Sequence, residues 1–303
     1  MTRIAKGSVR AVALPAAISF LAGCGGGGTI VSSIPFEGPV TQADYVGKTF
    51  PVYFLVGEAG DPSGNAVAGR GTITYNTDDT VTMQLPGRAP VVFSPTGTTA
   101  LGMTYQSADA VDAVITSFSS TSAFRLATST NSDRSFLGGF GFETLAADRP
   151  TTSATYDTAG AVFLTAQGVE DFLPVAGDGT LTADFGAGTI SGTLLTTDLF
   201  EVNLVGDPST EDLLELTFLL QNGRITPSGF TGGVTATAQI NEDGGGPRLL
   251  TGSVSNGSAE GAFYGEEAAA VAGIFEGDLV LSDDGTSLAD FEAAGFVSGS
   301  KTP

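Results

Sequence analysis

Apolar and polar residues alternate with period two along much of this chain. "VTATAQI" (234–240) puts Val234, Ala236, Ala238 and Ile240 on one face and Thr235, Thr237 and Gln239 on the other. "TLTADF" (180–185) does the same with Leu181, Ala183 and Phe185, and "GTISGTLL" (188–195) with Ile190, Gly192 and Leu194. "GIFEGDLVLS" (273–282) aligns Phe275, Gly277, Leu279 and Leu281. Side chains of a strand point alternately to opposite sides, so each run predicts a strand with one buried face. "PVYFLVG" (51–57) and "GTITYN" (71–76) predict strands nearer the N-terminus. Turn-forming clusters separate the runs: "GDPSGN" (60–65), "NTDDT" (76–80), "GDG" (177–179), "GAG" (186–188), "NEDGGG" (241–246) and "SDDG" (282–285). Short strands parted this regularly build barrels or sandwiches. One segment differs. In "QSADAVDAVITSF" (106–118), Ala108, Val111, Val114 and Ile115 fall at helical spacing and predict a short helix.

The N-terminus has another pattern. "MTRIAKGSVR" (1–10) carries Arg3, Lys6 and Arg10 and no acid, "AVALPAAISF" (11–20) is apolar, and "LAGC" (21–24) follows. This is a secretory signal, with a positive start, a short apolar run and small residues before a cut. The run is too short to span a bilayer. "Leu21-Ala22-Gly23-Cys24" also fits the lipobox of bacterial lipoproteins. A thiol there takes a diacylglyceryl group as a thioether, and cleavage at Gly23–Cys24 frees an amino group for further acylation. Cys24 is the chain's single cysteine and stands where that chemistry needs it. Two or three acyl chains hold a protein stably on a membrane, at about 0.8 kcal/mol per buried CH₂. Gly25–Gly28 then begins a tether. Gly25 at the position after the cysteine, rather than Asp, fits sorting to an outer membrane.

Composition narrows the chemistry. The 303 residues include 43 Gly and 20 Phe but no His and no Trp. Without His there is no Ser-His-Asp triad, Cys-His pair or His metal site, and one Cys makes no disulfide and no thiolate zinc site. No nucleophile–base constellation remains, so the expectation is a protein that is not an enzyme and needs no cofactor. Asp plus Glu number 33 against 12 Lys plus Arg. Loss of residues 1–23 removes three cations and leaves 9, a net charge of −24. Nucleic acid is thereby excluded as a partner, because phosphate binding needs clustered cations. The paired acids Asp78-Asp79, Glu211-Asp212, Glu242-Asp243, Glu266-Glu267 and Asp283-Asp284 mostly sit in turns and read as solvated turn residues. An anionic ligand would have to use the few cations available, such as Arg125, Arg134 and Arg149. "GGFGFE" (138–143) lacks the Lys of a phosphate loop.

"GAFYGEEAAAVAGIFEG" (261–277) resembles the C-terminal signature of the barrel domain in the transferrin-binding protein B-like family, which runs roughly Gly-x-Phe-Tyr-Gly-Pro-x-Ala-x-Glu-x-Gly-Gly-x-Phe. Gly261, Phe263, Tyr264, Gly265, Ala268, Gly273 and Phe275 match. Glu266 stands in place of the Pro, Ala270 of the Glu and Ala272 of one Gly. "GFETLAADRPTTSATYDTAGAVF" (141–163) and "GTLTADFGAGTISGTL" (179–194) are similar to the family's first two hairpins. The resemblance covers about 141–299 and implies an all-β chain. An eight-stranded antiparallel barrel, 136–303, would follow a smaller β-rich handle, 41–135, a tether, 24–40, and a signal peptide, 1–23. Phe263 and Phe275 would point inward, and Glu266 to Ala270 would be a tight connection between paired strands. The implied function is a lipid-anchored outer-membrane binding protein. It would be an accessory receptor for a solute, a haem or iron source or a protein ligand, working with an outer-membrane transporter. A structural or adhesive surface lipoprotein is the alternative. Ligand contacts are expected on loops of 41–135 and the adjacent barrel rim.

Overall fold

The computed structural model describes residues 31–303 except 59–65, 100–101, 108–111, 119–122, 131–133, 167–171, 197–199, 203–211, 242–246 and 284. The chain is all-β apart from short 3-10 turns. Eight strands make a first sheet: β1 (Thr49–Glu58), β2 (Val67–Tyr75), β3 (Val81–Gln84), β4 (Val91–Thr99), β5 (Gly102–Ser107), β6 (Asp112–Phe118), β7 (Phe124–Thr130) and β8 (Arg134–Gly141). Each pairs with the next, and β1 pairs with β8, so the sheet closes on itself. The helix expected over 106–118 is instead the end of β5, an undescribed connection and β6. β-branched Val114 and Ile115 pair with Thr128 and Ala127 of β7. A run this short cannot hold a helix against such pairing, because nucleation is costly and branched side chains favour strands.

Nine strands follow, all but β11 and β12 longer than those of the first sheet: β9 (Ser153–Ala166), β10 (Phe172–Asp184), β11 (Thr189–Thr196), β12 (Phe200–Val202), β13 (Asp212–Thr226), β14 (Gly229–Asn241), β15 (Pro247–Tyr264), β16 (Ala270–Asp283) and β17 (Thr286–Lys301). They form a nine-stranded antiparallel sheet in the order 11-10-9-17-16-15-14-13-12. β11 also pairs with β13, so all but β12 close into an eight-stranded ring. The expected boundary at 135/136 falls inside β8, which is bonded to β1 and β7. The change of sheet comes later, in the segment 142–152.

The alternation read in the sequence becomes the inside and outside of the second barrel. Val234, Ala236, Ala238 and Ile240 are buried with Leu214, Leu216, Phe218, Phe275, Leu279 and Leu281. Phe230, Phe263, Leu181, Ala183 and Ile190 fill the opposite end. Thr155, Asp157, Thr180, Thr182, Glu276 and Asp278 line the exposed outer wall. Glycine lets these strands carry large rings. Phe275 lies opposite Gly295 across β16 and β17, and a Cβ on Gly295 would sit 2.1 Å from the Phe275 ring. The first barrel has its own core of Phe50, Phe54, Phe93, Phe136, Phe140, Tyr45, Tyr75 and Tyr105.

A third cluster lies between the barrels. Tyr53, Leu55 and Phe124 of the first pack against Phe163, Tyr264, Ala272, Ile274 and Phe296 of the second. Burial of each such side chain contributes roughly 1.5–3 kcal/mol, so the barrels share a hydrophobic seam.

Candidate functional site

Strand direction sorts the connections of both barrels onto two ends. In the second barrel the turns 185–188, 227–228 and 265–269 gather at one end, and so do the entry to β9 and the C-terminus. The connections 167–171, 197–199, 203–211, 242–246 and 284–285 leave the strands at the other end. In the first barrel, 59–65, 85–90, 108–111 and 131–133 share one end, as the pairing Glu58↔Arg134 requires. Contacts set the ends side by side. Ala66 N donates to Thr165 Oγ1 at 3.4 Å, next to both 59–65 and 167–171. At the opposite end Thr144 N donates to Phe263 O and Gly265 N to Phe142 O. The longest loops within the barrels, 59–65 and 203–211, therefore start and end on one face, the rim; the other face, joined by 76–80 and 119–122 in the first barrel and by 185–188, 227–228 and 265–269 in the second, is the tight end.

The tight end also receives the N-terminal strap. Glu143 N donates to Ile34 O at 2.8 Å, and Phe36 N to Glu143 O at 2.7 Å. Ile34, Phe36 and Val40 pack on the first barrel's core. Strap, linker and second barrel so form a short ladder through residues 34–36, 142–144 and 263–265. Glu143 sits at its centre and is only 8% exposed. Burial pushes its carboxyl up to about 7, against the opposing influence of the Ser33 hydrogen bond and the charges of Arg70 and Arg149. Arg70 lies over the Tyr53 ring, 5.2 Å from its centroid, and makes a bidentate pair with Glu260 at 2.9 and 2.7 Å across the seam.

The signature residues fall where the resemblance put them. Phe263 is fully buried and Phe275 nearly so, both in the second core. Residues Glu266–Ala268 form one 3-10 turn between β15 and β16. Gly265 takes φ 77°, a left-handed value that glycine adopts without strain. Tyr156 donates its hydroxyl to Ala268 O at 2.8 Å and pins the turn. The departures are accommodated. Glu266 is exposed, Ala270 pairs with Tyr264, and Ala272 packs in the seam close over Gly139.

Two of the three cations expected to meet a ligand are engaged within the protein. Arg125 is buried inside the first barrel, 4.4 Å from the centre of the Tyr45 ring, and donates to Gln42 Oε1 at 3.2 Å. Arg149 stacks on Phe263 and donates to Thr226 O and Pro227 O at 2.6 and 2.9 Å. Both are structural, and the Arg134 side chain lies outside the described residues. Cys24, Glu211, Glu242, Asp243 and Asp284 lie outside them as well. Asp78 and Asp79 sit in the β2–β3 turn, where Asp78 accepts from Thr80 N and Oγ1. Among the described residues no three His, Cys, Asp or Glu side chains come together as a metal site. The sequence reading missed Glu143. Its one signal was a lone acid inside the apolar run "FLGGFGFETL".

Two adjoining antiparallel barrels whose longest loops, 59–65 and 203–211, start from one rim are a scaffold for binding. Residues 151–298 match the family of the C-lobe and N-lobe beta barrels of Tf-binding protein B. This match makes residues 151–298 a barrel domain of the transferrin-binding protein B-like family, whose members are binding proteins and not enzymes. No curated protein matches the chain. Among solved structures it is similar to a mutant transferrin-binding protein B of Haemophilus parasuis Hp5, at 15% identity and TM-score 0.47 over 83% of this chain and 45% of that one. It is also similar to isotype 1 transferrin-binding protein B of serogroup B Neisseria meningitidis, at 13% identity and TM-score 0.36 over 77% of this chain and 51% of that one. A surface lipoprotein is covered over 99% of its length, with 84% of this chain, at 12% identity and TM-score 0.33. The assignment rests on the family match. The chain spans about half the length of the transferrin-binding proteins.

Proposed function

We propose that this chain is a lipid-anchored outer-membrane protein that captures a protein ligand on the rim formed by both barrels and passes it to a membrane transporter. The observation that carries the reading is that the described strap docks at the tight end, through Ile34 and Phe36, while the loops 59–65 and 203–211 start from the opposite one. Six residues separate Cys24 from Val31, so the tether reaches at most roughly 25 Å at about 3.5 Å per residue. Lipidation of Cys24 would then hold the tight end near the membrane and present the rim outward. The barrel itself is no membrane span, because its apolar face points inward and its polar face outward, the reverse of an outer-membrane barrel.

The apolar cavity in the second barrel leaves little room for a small molecule. One cavity of the second barrel, lined by apolar groups such as Leu194, Phe218 and Phe275, is about 40 Å³, and a larger one of about 290 Å³ lies away from the rim, beside the strap at Glu37, Asp44 and Lys48. Small-molecule sites run to about 300–1,000 Å³. A protein of the transferrin type is the ligand class that the family supports. The strongly acidic mature chain would associate faster with a basic patch at low salt.

The test is capture by purified residues 25–303 from a panel of transferrins, haem proteins and free haem, repeated after replacing 59–65 and 203–211 with short Gly-Ser linkers. Retention of a protein that the replacements abolish supports the reading. Retention of free haem alone, or of nothing, sinks it and favours a structural or adhesive lipoprotein.

A further inference from the structure

We propose that Glu143 makes the joint between the two barrels an acid-tightened clasp: proton uptake by its carboxyl closes the ladder of strap, linker and second barrel, and proton loss loosens it. The geometry is that of a shared keystone. One residue accepts Phe36 N through its carbonyl, donates its own N–H to Ile34 O, and is followed directly by Thr144 N bonded to Phe263 O. It also bridges to Tyr264 on the far barrel and Pro35 on the strap. Its side chain therefore lies where three chain segments meet, and none of the three can close without burying it.

The groups facing Glu143 do not neutralise it. From the strap Ser33 gives one hydrogen bond. From β2 comes Arg70, whose guanidinium is already paired with Glu260. From the linker comes Arg149, held by Thr226 O and Pro227 O. From β1 and β15 come the phenols of Tyr53 and Tyr264, both pushed up by burial and by the negative charge of Glu143. No cation is within ion-pair distance of the Glu143 carboxylate among the described contacts. An ionised carboxylate here gives up water without a dedicated partner, whereas the neutral acid does not, so the closed joint favours the protonated form.

The sign follows. A carboxyl raised from 4.5 to about 7 holds its proton in the closed state where the open state has lost it. Closure is therefore strongest below about pH 4.5 and weakens as pH rises toward 7, by tenfold per unit of difference. The seam and the Arg70–Glu260 pair hold the barrels together as well, so the clasp acts on the tight end, where the strap joins. This inference holds whichever ligand the rim takes.

The test is amide hydrogen exchange on the full chain between about pH 4 and 8, corrected for intrinsic rates, with a carbon-13 titration of the Glu143 side chain. Protection of the Phe36, Glu143, Thr144 and Gly265 amides should fall about 100-fold across this range, while amides in the middle of β9 and β10 hold. The Glu143→Gln variant, neutral throughout, should keep the acid-state protection at every pH. Should that variant not fold, Arg149→Gln withdraws a positive charge and should move the carboxyl titration upward. A flat wild-type profile, a slope that survives in Glu143→Gln, an unmoved titration in Arg149→Gln, or a carboxyl that titrates near 4.5 overturns the clasp.

Discussion

Phe275 and Gly295 show how single residues shape this molecule. The ring of one fills the space left by the missing side chain of the other, on neighbouring strands. The same device recurs where Phe230 covers Gly261 and Phe54 covers Gly138. Phe275→Ala should cost about 3–5 kcal/mol, as truncation of a buried ring does. Gly295→Val should be destabilising for the opposite reason, by roughly 1–3 kcal/mol, since the added atoms displace the ring. Urea melts of both variants check this. A neutral Gly295→Val would show that the ring is not seated there. Arg125 teaches a different lesson. A cation that looked free for a ligand is spent inside a barrel, over Tyr45.

At the scale of elements, the β15–β16 crossing answers a question that local propensity leaves open. "GEEAAA" has helix-forming composition, yet it forms one 3-10 turn between two long strands. The strands win because Tyr264 and Ala270 are already paired and the turn is pinned by Tyr156. Gly265→Ala should therefore cost about 1 kcal/mol or more, from the left-handed backbone. The measurement is a shift in melting temperature, and an unchanged value would mean that the turn relaxes freely. The first barrel makes a second element-level prediction. A fragment starting at 136 splits β8 from its partners, whereas one starting at Leu145 keeps every strand of the second barrel. The longer fragment should expose apolar β8 residues such as Phe136 and Phe140 and aggregate more readily. Equal solubility of the two would count against β8 as part of the first barrel.

At the scale of the whole molecule, all six tyrosines have phenols raised by burial, Tyr45 to about 12. A raised phenol binds its proton in the folded state after the unfolded state has lost it. Its stabilising effect is complete below about pH 10 and is lost as pH climbs through the folded value. Absorbance at the tyrosinate band should stay flat past pH 10 and then rise in one step with unfolding. Early, graded tyrosinate absorbance would show that the barrels are not closed over these rings. Anchoring is tested separately. Cys24→Ala should abolish lipidation and release the protein from membranes, because no other thiol exists. Unchanged fractionation would refute the anchor.

The sequence by itself determined the period-two faces, the turns at 76–80 and 186–188, the inward rings at 263 and 275, and the family of the C-terminal barrel. These are local properties, since alternation and turn chemistry act over a few neighbours. But "GDG" (177–179), read as a turn, lies inside β10 and is paired on both sides. It also carries the lipobox pattern around Cys24. Tertiary structure alone decided that β8 belongs to the first barrel, that 106–118 is strand rather than helix, and that Arg125 and Arg149 are structural. It alone placed Glu143 at the meeting of three segments that are distant in the chain. Those outcomes depend on which strand pairs with which and on what is buried when the barrels meet. Most such contacts join residues far apart in the chain, as Tyr53 pairs with Gly139 and Thr144 joins Phe263, and no short window of sequence contains both.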